Sequence, residues 1–401
     1  MKHAVVLLGV LLVAGCSVST DFSSTTPETT TTPTTAVSVT STTMVAPTTS
    51  TTTTLPDPEW YLVSVTAALP EGFSDGLFEI EGVDAVSTVS VGTINLVESR
   101  TADGSVIDDA PDSFTIPLEA QTLDPEHHSE FVPLEIAGVL SQLEDGEAVV
   151  SSSSSAFRGL GEGAEMVLDD GTALNVIGVV ADEWIGAAEV VLAPGDAERL
   201  GVTTERYSVV RFDGSLAELE RLADETTESR VRVKTRDEVD VFRHADAVAA
   251  QITIKERFGE FAYRPLGGDK IEIDPAWKDA NIVREELPLL GEVTCHVEFL
   301  GMLREALTAL ERAGHDDAID PDAFAGCWYP RLIRKRTDLS RHAWGVAADI
   351  NLWNDADGAP GAPDDPRLIE ALEAVDVMGG HAWTDPGPGH FEWYAPVGSD
   401  R

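Results

Sequence analysis

The chain has 401 residues, 43% of them apolar, which is enough for two ordinary domains and accessory segments. Its 70 acidic residues outnumber 27 basic ones, for a formal charge of −43. Such a chain repels nucleic acid and carries a solvated, strongly acidic surface.

At the N-terminus, Lys2 and His3 precede an apolar run from Ala4 to Val13. The run is far shorter than the ~20 residues a membrane span needs, so residues 1–15 read as a signal peptide. The string Leu12-Val13-Ala14-Gly15-Cys16 resembles a bacterial lipobox. That resemblance implies cleavage before Cys16 and lipidation of Cys16, giving stable membrane attachment without a spanning helix. The plainer alternative is an ordinary signal peptide with an incidental cysteine. From 16 to 58 the chain is almost all Thr, Ser, Pro and Val. It cannot bury enough apolar surface to offset its ordering entropy, so it is expected to be an extended tether. The expected location is therefore extracytoplasmic, as a membrane-anchored lipoprotein. Cys295 and Cys327 remain as candidates for a disulfide, closing a loop of about 30 residues worth about 3–4 kcal/mol in the chain-entropy model. Their spacing matches no compact zinc knuckle.

Residues 59–245 show a pattern of short strands with little helix. Val83–Val97 alternates small apolar and polar residues, and Ala148-Val149-Val150 begins another apolar stretch. A hairpin is expected from Ala164–Leu168 and Ala173–Val180, with Asp170-Gly171 suited to a primed turn. Ala188–Leu192 reads as a strand and Leu216–Ala223 as a helix. His127-His128, between Glu126 and Glu130, reads as an exposed polar loop before it reads as a metal site. Gly-Val-Asp-Ala-Val at 82–86, Gly159–Ala164 and Val176–Val180 resemble the extracytoplasmic domain of MacB-like and FtsX-like permeases. The likeness implies a β-rich α+β extracytoplasmic module, though the permease's membrane helices are absent. The alternative is an unrelated α+β module with the same turn chemistry, and a further reading makes this domain an adaptor with a protein partner.

Residues 246–401 form the expected second domain. Val297–Ala313 is predicted helical, with Leu300, Leu303, Leu307 and Leu310 on one stripe and Gly314 ready to end it. Asp365-Pro366 caps and starts another helix running to about Val375. Val346–Leu352 reads as a short buried strand, and 354–364 as a Gly/Pro/Asp loop.

The chemistry concentrates in Ser340-Arg341-His342-Ala343-Trp344-Gly345-Val346-Ala347-Ala348-Asp349 and His390-Phe391-Glu392-Trp393. Two histidines and a carboxylate are what a catalytic zinc needs: three protein ligands and one position left open. Gly345, Ala347 and Ala348 are expected to leave room for ligands and substrate. Together with Tyr329-Pro330-Arg331, these strings resemble the D-alanyl-D-alanine carboxypeptidase / L-alanyl-D-glutamate peptidase family of zinc peptidases (VanY-type and endolysin-type). Phe258–Phe261, Pro288–Gly291 and Cys295-His296 fit the same likeness, which covers roughly the last 150 residues.

The resemblance implies a small α+β fold, Zn²⁺ held by His342, Asp349 and His390, and cleavage of peptidoglycan stem peptides. It gives Arg331 the role of the cation facing the oxyanion or the substrate carboxylate, with Ser340, Tyr329 and Trp383 as substrate-binding residues. The neighbours Lys335 and Arg336 read as a solvated basic turn. One departure stands out. The family places its catalytic acid three residues before the last histidine, where this chain has Gly387. Asp385, five residues before, is the expected general base, with Glu392 as runner-up or as an orienting partner of a ligand. A third reading has the acid displaced, leaving a weak or inactive peptidase fold that serves as a cell-wall binding or adaptor protein.

Overall fold

Two apolar-rich segments open the N-terminal half: β1 (Trp60–Val65) and the 18-residue β2 (Val83–Arg100), in which buried and half-exposed side chains alternate. The computed structural model describes residues 60–65, 68–186, 188–235, 249–334, 336–352, 364–383 and 387–394. The signal peptide, Cys16, the 16–58 tether, Lys335, Asp385 and nearly all of the 354–364 loop lie outside them. Eight more strands follow: β3 (Val106–Asp109), β4 (Ile116–Leu123), β5 (Glu147–Ser151), β6 (Glu165–Leu168), β7 (Ala173–Val180), β8 (Val190–Leu192), β9 (Thr204–Phe212) and β10 (Val231–Thr235).

Among the described residues these ten strands form one mixed sheet, ordered β10-β1-β9-β2-β4-β8-β5-β7-β6, with β3 on β2. Because β2 is so long, its first half pairs with β9, its middle with β4 and its end with β6. The run from β2 through β4, β8, β5 and β7 to β6 thus returns to β2 and closes a ring. Ile94, Leu96, Leu118, Val150, Met166 and Leu192 belong to one buried cluster on these strands. Closure pairs the β6 edge that an open sheet would expose, leaving β10 and β3 at the margins.

Two local expectations are corrected. The β6–β7 turn is not primed: Gly171 alone takes a left-handed φ, +85°, whereas a type I′ turn needs both central residues there. His128 is not in an exposed loop. It closes a one-turn helix, Pro125–His128, and is buried, with Nδ1 2.9 Å from the Ser87 hydroxyl. Burial pushes its pKa down to about 4.

The C-terminal half begins with the helix Gln251–Phe258 and the hairpins β11 (Tyr263–Gly267)/β12 (Lys270–Ile273) and β13 (Ile282–Leu287)/β14 (Gly291–His296). The leucine stripe builds the helix Val297–Ala313, which buries Leu300, Leu303, Leu307 and Leu310 and ends at Gly314. A small sheet then orders β15 (Ala347–Asp349), β17 (His390–Trp393) and β16 (Val377–Gly379) as β15-β17-β16. The architecture is α+β. The strand expected over Val346–Leu352 shrinks to three residues because Asn351 turns left-handed (φ 55°). Its side-chain amide donates to the Ala318 carbonyl and its side-chain oxygen accepts from the Asp320 amide, both at 2.8 Å.

The two halves have their own cores, yet residues 56–401 hold together as one unit. Lys255 Nζ, fully buried on the first C-terminal helix, donates to the Pro117 carbonyl (2.5 Å) and to Glu189 Oε1 (2.7 Å). Arg158, equally buried, spans Glu189 and Glu260. Burial alone would raise the pKa of Glu260, but Lys255 and Arg158 outweigh it and hold the group below its ordinary value. Thr115 and Tyr263 exchange backbone hydrogen bonds at 2.8 Å across the same junction.

Candidate metal centre

Arg341–Trp344 forms a single helical turn after Ser340, and the fully buried Trp344 anchors it in the core. Gly345 ends the turn at φ 69°, and a Cβ there would lie 2.6 Å from the His296 amide nitrogen. Gly345 therefore makes room for the β14 junction, not for substrate as expected from the motif. On this turn His342 is buried. Its Nδ1 donates to the Cys327 carbonyl at 2.6 Å. A carbonyl only accepts, so the proton sits on Nδ1 and leaves a lone pair on Nε2. That Nε2 is buried, has no hydrogen-bond partner, and lies 3.3 Å from Asp349 Oδ1.

Strand pairing supplies the rest. Asp349 on β15 stands directly opposite His390 on β17. His390 Nδ1 is 2.9 Å from Asp349 Oδ1, and its Nε2 is 3.1 Å from Glu392 Oε2. Donor atoms of His342, Asp349 and His390 all lie within 4.8 Å of one another. Burial would raise the pKa of Asp349, but the imidazoles of His342 and His390 beside it outweigh burial and hold it well below the usual carboxylate range. Burial would likewise lower that of His390, but its bonds to Asp349 and Glu392 prevail and hold it up at about 9. Two imidazoles and a carboxylate, each histidine fixed through its outer nitrogen by an acceptor, fit a divalent metal with further positions open. The orphaned His342 Nε2 is the atom that such an ion would satisfy.

The other expected site residues are placed unevenly. Glu392, 6% exposed, sits on the His390 nitrogen opposite the one facing Asp349. The Trp383 ring centroid is 5.2 Å from that of His390. Tyr329 is half exposed, and its amide donates to the His342 carbonyl at 2.9 Å. Ser340 is buried before the ligand turn, and its amide donates to the Arg331 carbonyl at 3.1 Å. The Arg331 guanidinium stacks 5.8 Å from the Tyr329 ring. Asp385 is outside the described residues. Glu260, in one of the strings that carried the family likeness, serves the junction with the first sheet instead.

Cys295 and Cys327 are joined by a disulfide with Cα atoms 5.5 Å apart. Two contributors escaped the sequence reading. One is the Cys327 carbonyl, since a backbone acceptor leaves no sequence signal. The other is Asp364, whose Oδ1 accepts from the amide of Gly389, next to His390, at 2.8 Å. Its second oxygen is 4.0 Å from His381 Nδ1.

No family model matches the chain, and no curated protein matches it by sequence. Solved structures show a weak likeness. The periplasmic region of MacB from Actinobacillus actinomycetemcomitans aligns at 11% identity and TM-score 0.30, over 45% of this chain and 89% of that one. The extracellular domain of the noncanonic ABC-type transporter YknZ from Gram-positive bacteria aligns at 12% identity and TM-score 0.30, over 44% of this chain and all of that one. Likeness of that degree carries no argument about function. Among the described residues no helix is long and apolar enough to cross a membrane.

Proposed function

We propose that this chain is a zinc-dependent peptidase hydrolysing peptidoglycan stem peptides, as a D-Ala-D-Ala carboxypeptidase or an L-Ala-D-Glu endopeptidase. The observation that carries this reading is the buried, unpartnered His342 Nε2, aimed at the carboxylate that also meets His390. His342, Asp349 and His390 would hold a zinc ion, which would supply Lewis acidity to a water, lowering its pKa toward about 7, and to the scissile carbonyl. Glu392 keeps the proton of His390 on Nε2, so that Nδ1 is free to ligate. Asp385 is assigned the water's proton and its return to the leaving amine, a role typically worth about 10²–10⁴-fold. Arg331 presents a fixed fork to a carboxylate or oxyanion, and the Trp383 ring forms an apolar wall beside His390. The N-terminal signal and Cys16 would anchor the enzyme extracytoplasmically, where such peptides occur, with the first sheet free to meet a protein partner.

Incubating the purified chain with muropeptides and reading products by mass spectrometry tests this. The second reading, a metal-holding protein that binds cell-wall peptide without cutting it, is favoured by Gly387 at the position of the family's acid. Asp385→Asn separates the two. Lost turnover with zinc retained supports the peptidase, whereas wild-type chain that binds peptide and releases no product supports the binder.

A further inference from the structure

The segment Ala325–Tyr329 touches two of the three elements that carry metal ligands, the turn with His342 and the strand with Asp349. The Ala325 amide donates to the Asp349 carbonyl and the Asp349 amide to the Gly326 carbonyl, both at 2.9 Å. Tyr329's amide donates to the His342 carbonyl at 2.9 Å, and the Trp328 indole to the Ala343 carbonyl at 3.2 Å. In its middle, the Cys327 carbonyl receives the Nδ1 proton of His342. Among the described residues the segment belongs to no regular strand or helix. It is fastened behind by the amide of Trp328 on Thr294 (3.0 Å) and by the disulfide from Cys327 to Cys295.

We propose that the Cys295–Cys327 disulfide is the assembly switch of the metal centre: before it forms, the centre holds metal weakly, and its formation sets His342 for ligation. This rests on reading the triad as a metal site. Cys327 and Cys295 are both almost wholly buried, so the bond forms as the fold closes. The step is a thiol–disulfide exchange with an external disulfide, such as an oxidoreductase of an oxidising compartment. Two thiols are oxidised, the acceptor disulfide is reduced to two thiols, and two protons follow the electrons. Without the bond the 325–329 segment keeps its backbone hydrogen bonds and that of the Trp328 indole but loses its covalent tie to Cys295, and the carbonyl that fixes the His342 tautomer loses its position. Loss of such an outer partner typically lowers metal affinity about 10–100-fold. The device keeps the centre from loading tightly in a reducing cytoplasm.

The test uses the full chain and zinc affinity measured by competition with a chromogenic chelator. Cys295→Ala/Cys327→Ala should bind zinc 10–100-fold more weakly than the wild type, by the typical outer-partner effect. Leu307→Ala, a core truncation of similar thermal cost on the helix Val297–Ala313, should stay within about threefold. A second arm needs no cysteine variant. By reciprocity, zinc must shift the equilibrium midpoint of the disulfide in a reduced/oxidised glutathione buffer, at fixed free zinc, by the same factor, about 30–60 mV more negative. The His342→Ala chain supplies the baseline for zinc bound to free thiols. If the cysteine-free chain does not fold, this arm decides. Equal zinc affinity with and without the disulfide, or no shift relative to that baseline, overturns the proposal. Absence of zinc binding by the oxidised wild type would instead sink the metal reading itself.

Discussion

Replacing Lys255 by Met should unfasten the two halves of the molecule. The ammonium is wholly buried and donates to the Pro117 carbonyl and to both oxygens of Glu189, at 2.7 and 3.0 Å, while lying 2.9 Å from Glu260. Methionine fills the volume but leaves Glu189, itself fully buried, with Arg158 as its one cation beside the Gln251 amide and the Glu119 backbone amide. Removing one partner of a buried ionic cluster costs about 3–5 kcal/mol, because the remaining charge stays desolvated. For a folded unit of this size that lowers the thermal midpoint by about 10 °C. The assay is denaturant unfolding followed by tryptophan fluorescence. Lys255→Met/Glu189→Leu should recover at least half of the loss, since Arg158 keeps Glu260 and Asp108. A loss below about 1 kcal/mol in the single variant would refute the reasoning, as it would mean the cluster is hydrated and contributes as a surface pair does.

Gly345→Ala should cost about 2 kcal/mol or more, from the left-handed φ of 69° and a Cβ at 2.6 Å from the His296 amide, checked by thermal melting. Glu392→Ala should weaken zinc binding about 10–100-fold while leaving the fold intact, measured by chelator competition and circular dichroism. Zinc affinity should rise with pH up to about 9, near tenfold per unit, because the ion must displace the proton that Asp349 and Glu392 hold on His390. Calorimetry in buffers of differing ionisation enthalpy counts that proton. For the metal-free chain the sign is opposite. The raised His390 pKa contributes stability that is full below pH 6.5 and lost as pH rises through about 9, which urea midpoints at pH 6 and 10 would show.

Local patterns carried most of what the sequence revealed. The leucine stripe and Gly314 define the helix Val297–Ala313, because a 3.6-residue period and a terminal glycine are local properties. The β6–β7 hairpin and the cap at Asp365 were legible for the same reason. The triad was legible through its motifs, His342 to Asp349 and His390 to Glu392, and strand register then puts Asp349 opposite His390. What was not legible depends on distant partners. Nothing local tells that β2 pairs with β6 to close a ring, or that Lys255, on an ordinary-looking helix, is buried against Glu189. His128 looked solvent-facing among acidic residues until Ser87, 41 positions away, turned out to meet it. The Cys327 carbonyl carries no residue signature at all.

The central claim is that the three ligands form a working hydrolytic centre. Its most direct test is mass spectrometry of products from a defined stem pentapeptide, using zinc-loaded full chain beside His342→Ala. The account predicts one cleaved bond in the wild type and loss of both zinc and cleavage in the variant. Stoichiometric zinc with an uncut peptide, or undiminished cleavage by His342→Ala, would contradict it.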